Sequence, residues 1–121
     1  MAKKTILVVD DSTTDFLYVS KILMDNGFEV VHAQSGRDAI DESKRIIPDC
    51  ILMDVVMPEM NGFQATRAIS REVTTADIPI IMLSSKAQQT DRIWAERQGA
   101  KGYLVKPIDA KELIAKLNDF I

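Results

Sequence analysis

The chain has 121 residues, of which 46% are hydrophobic and 27% are charged, and its formal net charge is −3. This length and balance predict one globular domain that buries a core of its own. Lys and Arg are nowhere clustered beyond adjacent pairs, which argues against a nucleic-acid-binding surface. No apolar stretch approaches the ~20 residues of a membrane-spanning helix. The single cysteine, Cys50, excludes an intrachain disulfide, and we interpret it as a small core residue of a cytoplasmic protein.

Five short apolar runs alternate with stretches of helical spacing. The runs are Thr5–Val9, Glu29–Ala33, Cys50–Met53, Ile78–Leu83 and Gly102–Val105. Continuous apolar runs suit strands that are covered on both faces of a parallel sheet. The repeated alternation therefore predicts a doubly wound α/β fold, with a five-stranded parallel sheet of order 2-1-3-4-5 and helices on both faces.

Apolar stripes at helical spacing predict a helix after each strand. The stripes are Phe16, Val19 and Leu23; Ala39, Ile40, Ser43 and Ile47; Ala65, Thr66, Ile69 and Val73; Ile93, Trp94 and Arg97; and Leu113, Leu117 and Phe120. Expected helix caps are Ser12 in a capping box with Asp15, then Ser35, Ser85 and Asp109. Trp94 is interpreted as a packing residue, and Asp15 as a capping or solvated one.

Polar side chains follow four of the predicted strands. Asp10 and Asp11 follow the first strand, Asp54 the third, Ser84 the fourth and Lys106 the fifth. Ligands of such sheets bind beyond the carboxyl ends of the strands, so these side chains should converge. Three carboxylates repel one another unless a cation compensates, and Mg²⁺ is the hard ion that shares such sites with phosphate. Together with an amine and a hydroxyl, they predict phosphoryl chemistry with a carboxylate as nucleophile.

Other phosphate-binding patterns do not fit. The chain contains no G-x-x-x-x-G-K-[ST] motif and no G-x-G-x-x-G after the first strand. A flavin-phosphate loop at 12–14 would be repelled by the two preceding acids, and a haloacid-dehalogenase-type phosphatase would space its two acids differently. His32 is the only histidine, which excludes a multi-histidine zinc site.

Four segments, "VVDDS", "LMDVVMPEMNG", "MLSSK" and "GAKGYLVKP", resemble the bacterial response-regulator receiver domain (CheY-like) over essentially the whole chain. The resemblance implies that Asp54 is the phosphoacceptor and that Mg²⁺ is bound by Asp11 directly and by Asp10 through water. It also implies that the backbone carbonyl of Val56 is a metal ligand. Such a protein is a signalling phosphoprotein, with self-catalysed phosphotransfer and autodephosphorylation only.

The same resemblance gives roles to the last two strands. It implies that Ser84 contacts the phosphoryl group, that Lys106 neutralises it and that the Lys106–Pro107 bond is cis. Tyr103 takes the position of an aromatic switch residue. The side chains at Val56 and Lys86 are expected to influence the hydrolysis rate.

A finer resemblance is to single-domain receivers of type IV pilus twitching chemosensory systems (PilH-like), carried by "DDSTTD", "DVVMPEMNGFQATR" and "TDRIWAERQGAKGYLVKP". We expect residues 1–121 to be one receiver domain with no output domain. The expected partners are a CheA-like histidine kinase and an output or motor protein on the face of helix 4, strand 5 and helix 5. A phosphate sink for a shared kinase, a flagellar chemotaxis regulator and a docking-only module remain alternatives. The protein is expected to be a monomer, with weak dimerisation on phosphorylation left open.

Overall fold

The computed structural model describes residues 3–85 and 88–121. Over these residues, strands and helices alternate strictly along the chain. The strands are β1 (Thr5–Val9), β2 (Glu29–Ala33), β3 (Cys50–Asp54), β4 (Ile80–Ser84) and β5 (Gly102–Val105). The helices are α1 (Thr13–Asp25), α2 (Gly36–Ile46), α3 (Gly62–Arg71), α4 (Gln89–Arg97) and α5 (Ala110–Asn118).

The strands form a parallel sheet of order β2-β1-β3-β4-β5, which confirms the predicted topology. Three of the strands have the predicted bounds, and β3 extends one residue further, to Asp54. Strand β4 begins at Ile80, two residues later than predicted. Pro79 precedes it and has no N–H to donate, although its carbonyl accepts from the Ile51 N–H at 2.9 Å.

The central strands β1, β3 and β4 bury both of their faces, because helices cover the sheet on both sides, whereas the edge strand β2 is only partly buried. Alternate residues of β1 enter opposite core clusters: Leu7 and Val9 enter one, and Ile6 and Val8 enter the other. Helices α2, α3 and α4 pack on the first side, and α1 and α5 on the second. Cys50 is fully buried in the second cluster, and burial raises the pKa of its thiol to about 12. The core interpretation of Cys50 is therefore confirmed.

Three of the predicted N-caps are confirmed. Ser12, Ser35 and Asp109 each accept a hydrogen bond from the backbone N–H three residues later. The expected capping box of α1 is incomplete, since the backbone N–H of Ser12 bonds Asp10. A complete box occurs instead at α3, where Asn61 and Gln64 bond each other's backbone N–H at 2.9 Å.

The apolar stripe predicted for α4 is wrong. Of the nine residues of this helix, Ala95 is the buried one, whereas Ile93 and Trp94 are 42% and 49% exposed. Helical spacing identifies possible apolar faces of a helix, but it does not determine which face packs against the sheet. In α4 the face that packs against the sheet is the one with the small side chain of Ala95. Trp94 is therefore a surface residue rather than a packing residue.

Three other stripes extend too far. Ile47, Val73 and Phe120 lie beyond the ends of α2, α3 and α5, and Val73 is 91% exposed. Ile47 takes the left-handed conformation with φ of 44°, so the chain turns away there before it can add another helical turn. Among the described residues, no helix is long and apolar enough to cross a membrane.

Candidate functional site

Strand order brings three acids to one edge of the sheet. β1 and β3 are neighbours in register, with Val9 opposite Met53, so Asp10, Asp11 and Asp54 follow from adjacent strand ends. One carboxylate oxygen from each lies within 4.8 Å of the others. Asp10 and Asp54 are buried and Asp11 is exposed, so the group is open to solvent on the Asp11 side.

Asp10 is held by several hydrogen bonds. Its side chain accepts from the N–H of Ser12 at 2.9 Å, and its own N–H donates to Ala33 at 3.1 Å. His32 Nε2 lies 2.9 Å from the carbonyl oxygen of Asp10. Because a carbonyl only accepts, Nε2 must carry the hydrogen. The imidazole also stacks on Phe16, with ring centroids 3.7 Å apart and an angle of 6° between the planes.

The loop after β3 is closed against the strand that carries Asp54. The N–H of Gly62 donates to the carbonyl of Val55 at 2.8 Å. A Cβ at position 62 would overlap the carbonyl oxygen of Asp54, so glycine is required for this close approach. The loop leaves Val56 exposed, at the same cleft as the three acids.

Lys106 brings a positive charge into the acid cluster. Its Nζ lies 3.0 Å from Asp54 Oδ1, 3.3 Å from Asp10 Oδ2 and 3.0 Å from Asp15 Oδ2. The backbone N–H of Lys106 donates to Ser84 at 2.7 Å, which ties the end of β5 to the end of β4. The Lys106–Pro107 peptide bond is cis, as the resemblance implied.

Burial and charge raise the pKa of Asp54 to about 6. Desolvation is the largest cause, and the neighbouring charges of Asp10 and Asp11 add to it, while the hydrogen bond from Lys106 acts in the opposite direction. For Lys106, burial alone would lower the pKa of the ammonium, but its hydrogen bonds to Asp15 and Asp54 outweigh that and raise it. Lys106 is therefore a fixed cation that compensates only part of the negative charge around it.

Asp15 is a functional contact that the sequence interpretation missed. Its backbone N–H donates to Ser12 at 3.3 Å, as expected, but its carboxylate bonds Lys106 and takes no part in a capping box. A signal was present in the sequence. Asp15 lies in the first turn of α1, just after two acids at a strand end, so its side chain starts near the same edge of the sheet. The contact of His32 with the Asp10 carbonyl is also one that the sequence interpretation does not predict.

Residues at the ends of β4 and β5 complete the surroundings of the cleft. Ser84 is the last residue of β4, and it is buried and lines the cleft together with Ser85. Ser85 does not cap α4, because the N-cap is Gln88. Tyr103 is buried on the side of the sheet covered by α4, with the Arg92 guanidinium 5.0 Å from its ring centre. Lys86 lies outside the described residues.

The acid cluster fits a hard divalent cation. Its ligand atoms would be carboxylate oxygens, in a cleft that Val56 also lines and that has an open side for water, which is the environment Mg²⁺ prefers. Burial, together with the charges of Asp10 and Asp11, disfavours the ionised form of Asp54, and a bound cation would offset that cost.

The sequence of this chain is similar to proteins of a known family. Residues 6–118 match the response regulator receiver domain family. The chain is 42% identical over 113 residues to protein PilH of Pseudomonas aeruginosa, and the match covers 93% of each chain. It is 40% identical over 114 residues to the chemotaxis protein CheY of Bacillus subtilis, again covering 93% of each. Transcriptional regulators match as well, and the chain spans 51% of the length of one such relative.

The fold also matches solved structures along nearly its whole length. The receiver domain of the sensor histidine kinase PA1611 from Pseudomonas aeruginosa PAO1 aligns with a TM-score of 0.91 and 32% identity over 98% of each chain. That structure has a magnesium ion coordinated in its active site cleft.

Proposed function

We propose that this chain, which belongs to the response regulator receiver domain family, accepts a phosphoryl group on Asp54 and passes the signal on by changing its protein contacts. One observation carries the proposal. Asp54 lies 3.0 Å from the Lys106 ammonium, in a cluster with Asp10 and Asp11. This combines a carboxylate nucleophile, a fixed cation and a place for a metal ion.

The proposed donor is the phosphohistidine of a CheA-like sensor histidine kinase. One oxygen of the Asp54 carboxylate attacks the phosphorus in line, and an O–P bond forms as the N–P bond of the phosphohistidine breaks. The electron pair of the broken bond stays on the imidazole nitrogen, which takes up a proton from solvent. Above the pKa of about 6, most Asp54 carboxylates are ionised and able to attack.

The surrounding groups stabilise charge on the transferring phosphoryl group. Lys106 moves its hydrogen bond from Asp54 to a phosphoryl oxygen, and the hydroxyl of Ser84 donates to another. Asp10, Asp11, Asp54 and the carbonyl oxygen of Val56 would hold Mg²⁺, with Asp11 as a direct ligand and Asp10 as a ligand through water. When bound, this ion supplies positive charge against the charge that builds up during transfer.

Hydrolysis resets the protein. Water attacks the phosphorus, the O–P bond to Asp54 breaks, and the carboxylate and inorganic phosphate are released. The exposed side chain of Val56 lies beside the cleft and offers no hydrogen bond to the attacking water. We expect Val56→Asn to change the decay rate of the phosphoprotein, and an unchanged rate would contradict this role.

Phosphorylation adds about −1.5 to −2 charge at the end of β3. In the proposed switch, Ser84 moves to bond the phosphoryl group, the segment between β4 and α4 shifts and Tyr103 repacks. This changes the face of α4, β5 and α5, which is the proposed surface for an output or motor protein. The exposed Ile93 and Trp94 lie on α4 and support this assignment.

The proposed system is type IV pilus twitching chemosensory signalling, and the similarity to PilH supports it. The similarity to CheY keeps flagellar chemotaxis as the second candidate. In both cases we propose a cytoplasmic regulator that is monomeric before phosphorylation. A phosphate sink would have the same site.

The phosphoacceptor is tested with a small phosphodonor and Mg²⁺, using intact mass spectrometry. We expect a gain of one phosphoryl group that depends on Mg²⁺ and is absent in Asp54→Asn. Asp41→Asn, an exposed acid of α2, is the matched control and should label normally. Continued labelling of Asp54→Asn at another residue would contradict the assignment.

A pull-down with the phosphorylated chain separates an output regulator from a sink. An output regulator should capture the kinase and, in addition, an effector whose binding is lost in Trp94→Ala. Capture of the kinase alone would favour the sink.

A further inference from the structure

The contact between Asp15 and Lys106 differs from the other contacts of this lysine. Asp10 and Asp54 are buried members of the acid cluster, whereas the Asp15 side chain is 49% exposed and lies outside that cluster. A cation held by the cluster would draw on Asp10 and Asp54 and leave Asp15 to Lys106. The Asp15 contact is therefore the one that remains available to the ammonium throughout the proposed reaction.

A second side chain of α1 holds this arrangement in place. Tyr18, one turn after Asp15, donates its hydroxyl to the carbonyl of Ile108 at 2.6 Å. Asp15 and Tyr18 thus bond, from one face of α1, the same segment that carries Lys106. This distinguishes the ion pair from an isolated surface pair, which would hold its geometry only weakly.

The charge of Asp15 lies close to the Asp54 carboxylate. Its Oδ2 and Asp54 Oδ1 each lie 3.0 Å from the same ammonium nitrogen, so these two oxygens are at most 6.0 Å apart. Asp15 also lines the cleft through which a donor reaches Asp54. A negative charge at this position offsets the attraction of Lys106 for an incoming anion.

We propose that Asp15 is a positioning and specificity-determining residue, which holds Lys106 and lowers the reactivity of Asp54 toward small anionic phosphodonors. The inference deepens the proposed function and rests on it. A histidine kinase presents its phosphoryl group within a protein interface, where contacts over a large area outweigh one charge. A small anion has no such contacts, so the charge of Asp15 discriminates between the two donors.

The test uses acetyl phosphate with excess Mg²⁺. One oxygen of Asp54 bonds to phosphorus as the P–O bond to the acetyl group breaks, and acetate leaves with the electron pair. We compare Asp15→Asn, which keeps a hydrogen-bond acceptor for Lys106 but removes the charge, with Asp15→Glu, which keeps the charge. Asp25→Asn is the control, because Asp25 lies at the far end of α1, about 15 Å along the helix axis, and pairs with Lys21.

We expect Asp15→Asn to increase the rate constant for acetyl phosphate by about three- to tenfold at low salt. The gain should shrink toward unity in about 1 M salt, where the Debye length is about 3 Å. Asp15→Glu and Asp25→Asn should stay near the rate of the unsubstituted chain. A purely structural role would change the rate without this dependence on salt.

The outcomes separate this inference from the function on which it rests. Equal rates for Asp15→Asn and the unsubstituted chain at low salt, or a salt-independent change, overturn the inference and leave the phosphoacceptor assignment intact. Absence of labelling on Asp54 in the unsubstituted chain overturns both.

Discussion

Helices α1 and α4 follow the strands whose ends carry Asp10 and Ser84, yet the fold holds them differently. Helix α1 buries Val19 and Leu23 against the sheet and begins with the hydrogen-bonded cap Ser12. Its side chains also reach across to the segment after β5, through the contacts of Asp15 and Tyr18. One side of the cleft is therefore fixed by packing, by a helix cap and by hydrogen bonds between distant segments of the chain.

Helix α4 lacks most of these restraints. Among its residues Ala95 is the buried one, and the side chain of its N-cap, Gln88, makes no capping hydrogen bond. Much of the free energy that holds a helix in a protein comes from packing of its apolar face. The site therefore combines a rigid side at α1, which positions the reacting groups, with a loosely held side at α4 that can respond to them.

The largest expected effect comes from truncating one apolar side chain on each of the two helices. Leu23→Ala should lower the free energy of unfolding by about 2–5 kcal/mol, because it leaves a cavity in the core under α1. Ile93→Ala, on the partly exposed face of α4, should cost less than about 1 kcal/mol. Urea denaturation of both variants gives the two values. Similar losses would mean that α4 is held as firmly as α1.

The ionised Asp54 carboxylate should lower the free energy of unfolding. The pKa of Asp54 is raised in the fold, to about 6, so folding favours its protonated form. Stability from this group is present below the unfolded pKa near 4 and is lost as the pH rises through 6. Without divalent cations, Asp54→Asn should therefore raise the free energy of unfolding by about 1–3 kcal/mol above pH 7.

Denaturation at several pH values checks this expectation. The gain from Asp54→Asn should shrink below pH 6 and disappear near pH 4, and excess Mg²⁺ should reduce it at pH 7. Asp41→Asn, at an exposed site, should show no such profile. A constant gain at all pH values would assign the effect to something other than the charge.

Hydrogen exchange compares the two helices in the native chain without substitutions. Amides of α4 should exchange at least about tenfold faster than those of α1, because local opening of α4 exposes less apolar surface. Peptide-resolved mass spectrometry under native conditions measures this ratio. Equal protection of residues 13–25 and 89–97 would remove the distinction between a rigid and a mobile side.

Helix caps give the smallest expected effect. Ser12→Ala should cost about 1 kcal/mol, because the N–H of Asp15 loses its acceptor. Gln88→Asp should instead gain about 0.5–1 kcal/mol, since it supplies a capping side chain that α4 lacks. Thermal unfolding resolves changes of this size. A loss of stability in Gln88→Asp would show that the start of α4 cannot accept a cap.

Much of the fold was accessible from the sequence, because burial on both faces makes parallel strands read as continuous apolar runs. The strand order and the convergence of Asp10, Asp11 and Asp54 followed from that, and the family resemblance was confirmed over residues 6–118. The roles of Ser84 and Tyr103 stay predictions, since they concern a phosphorylated state.

What the sequence did not reveal depends on contacts between distant segments. The Asp15–Lys106 pair joins residues 91 positions apart. His32 contacts the Asp10 carbonyl between the neighbouring strands β2 and β1, from 22 positions away in the sequence. Periodicity located α4 but could not choose its buried face, because a single alanine decides it. The capping box of Asn61 and Gln64 is a local pattern, so it could have been predicted from the sequence.

The burial of Cys50 has a chemical consequence. Its thiol lies at the start of β3, fully enclosed, and its pKa near 12 leaves almost no thiolate at neutral pH. Alkylating agents and oxidants therefore reach the only sulfhydryl of the chain when the sheet itself opens. The rate at which Cys50 is alkylated therefore measures how often the core opens, without any added probe.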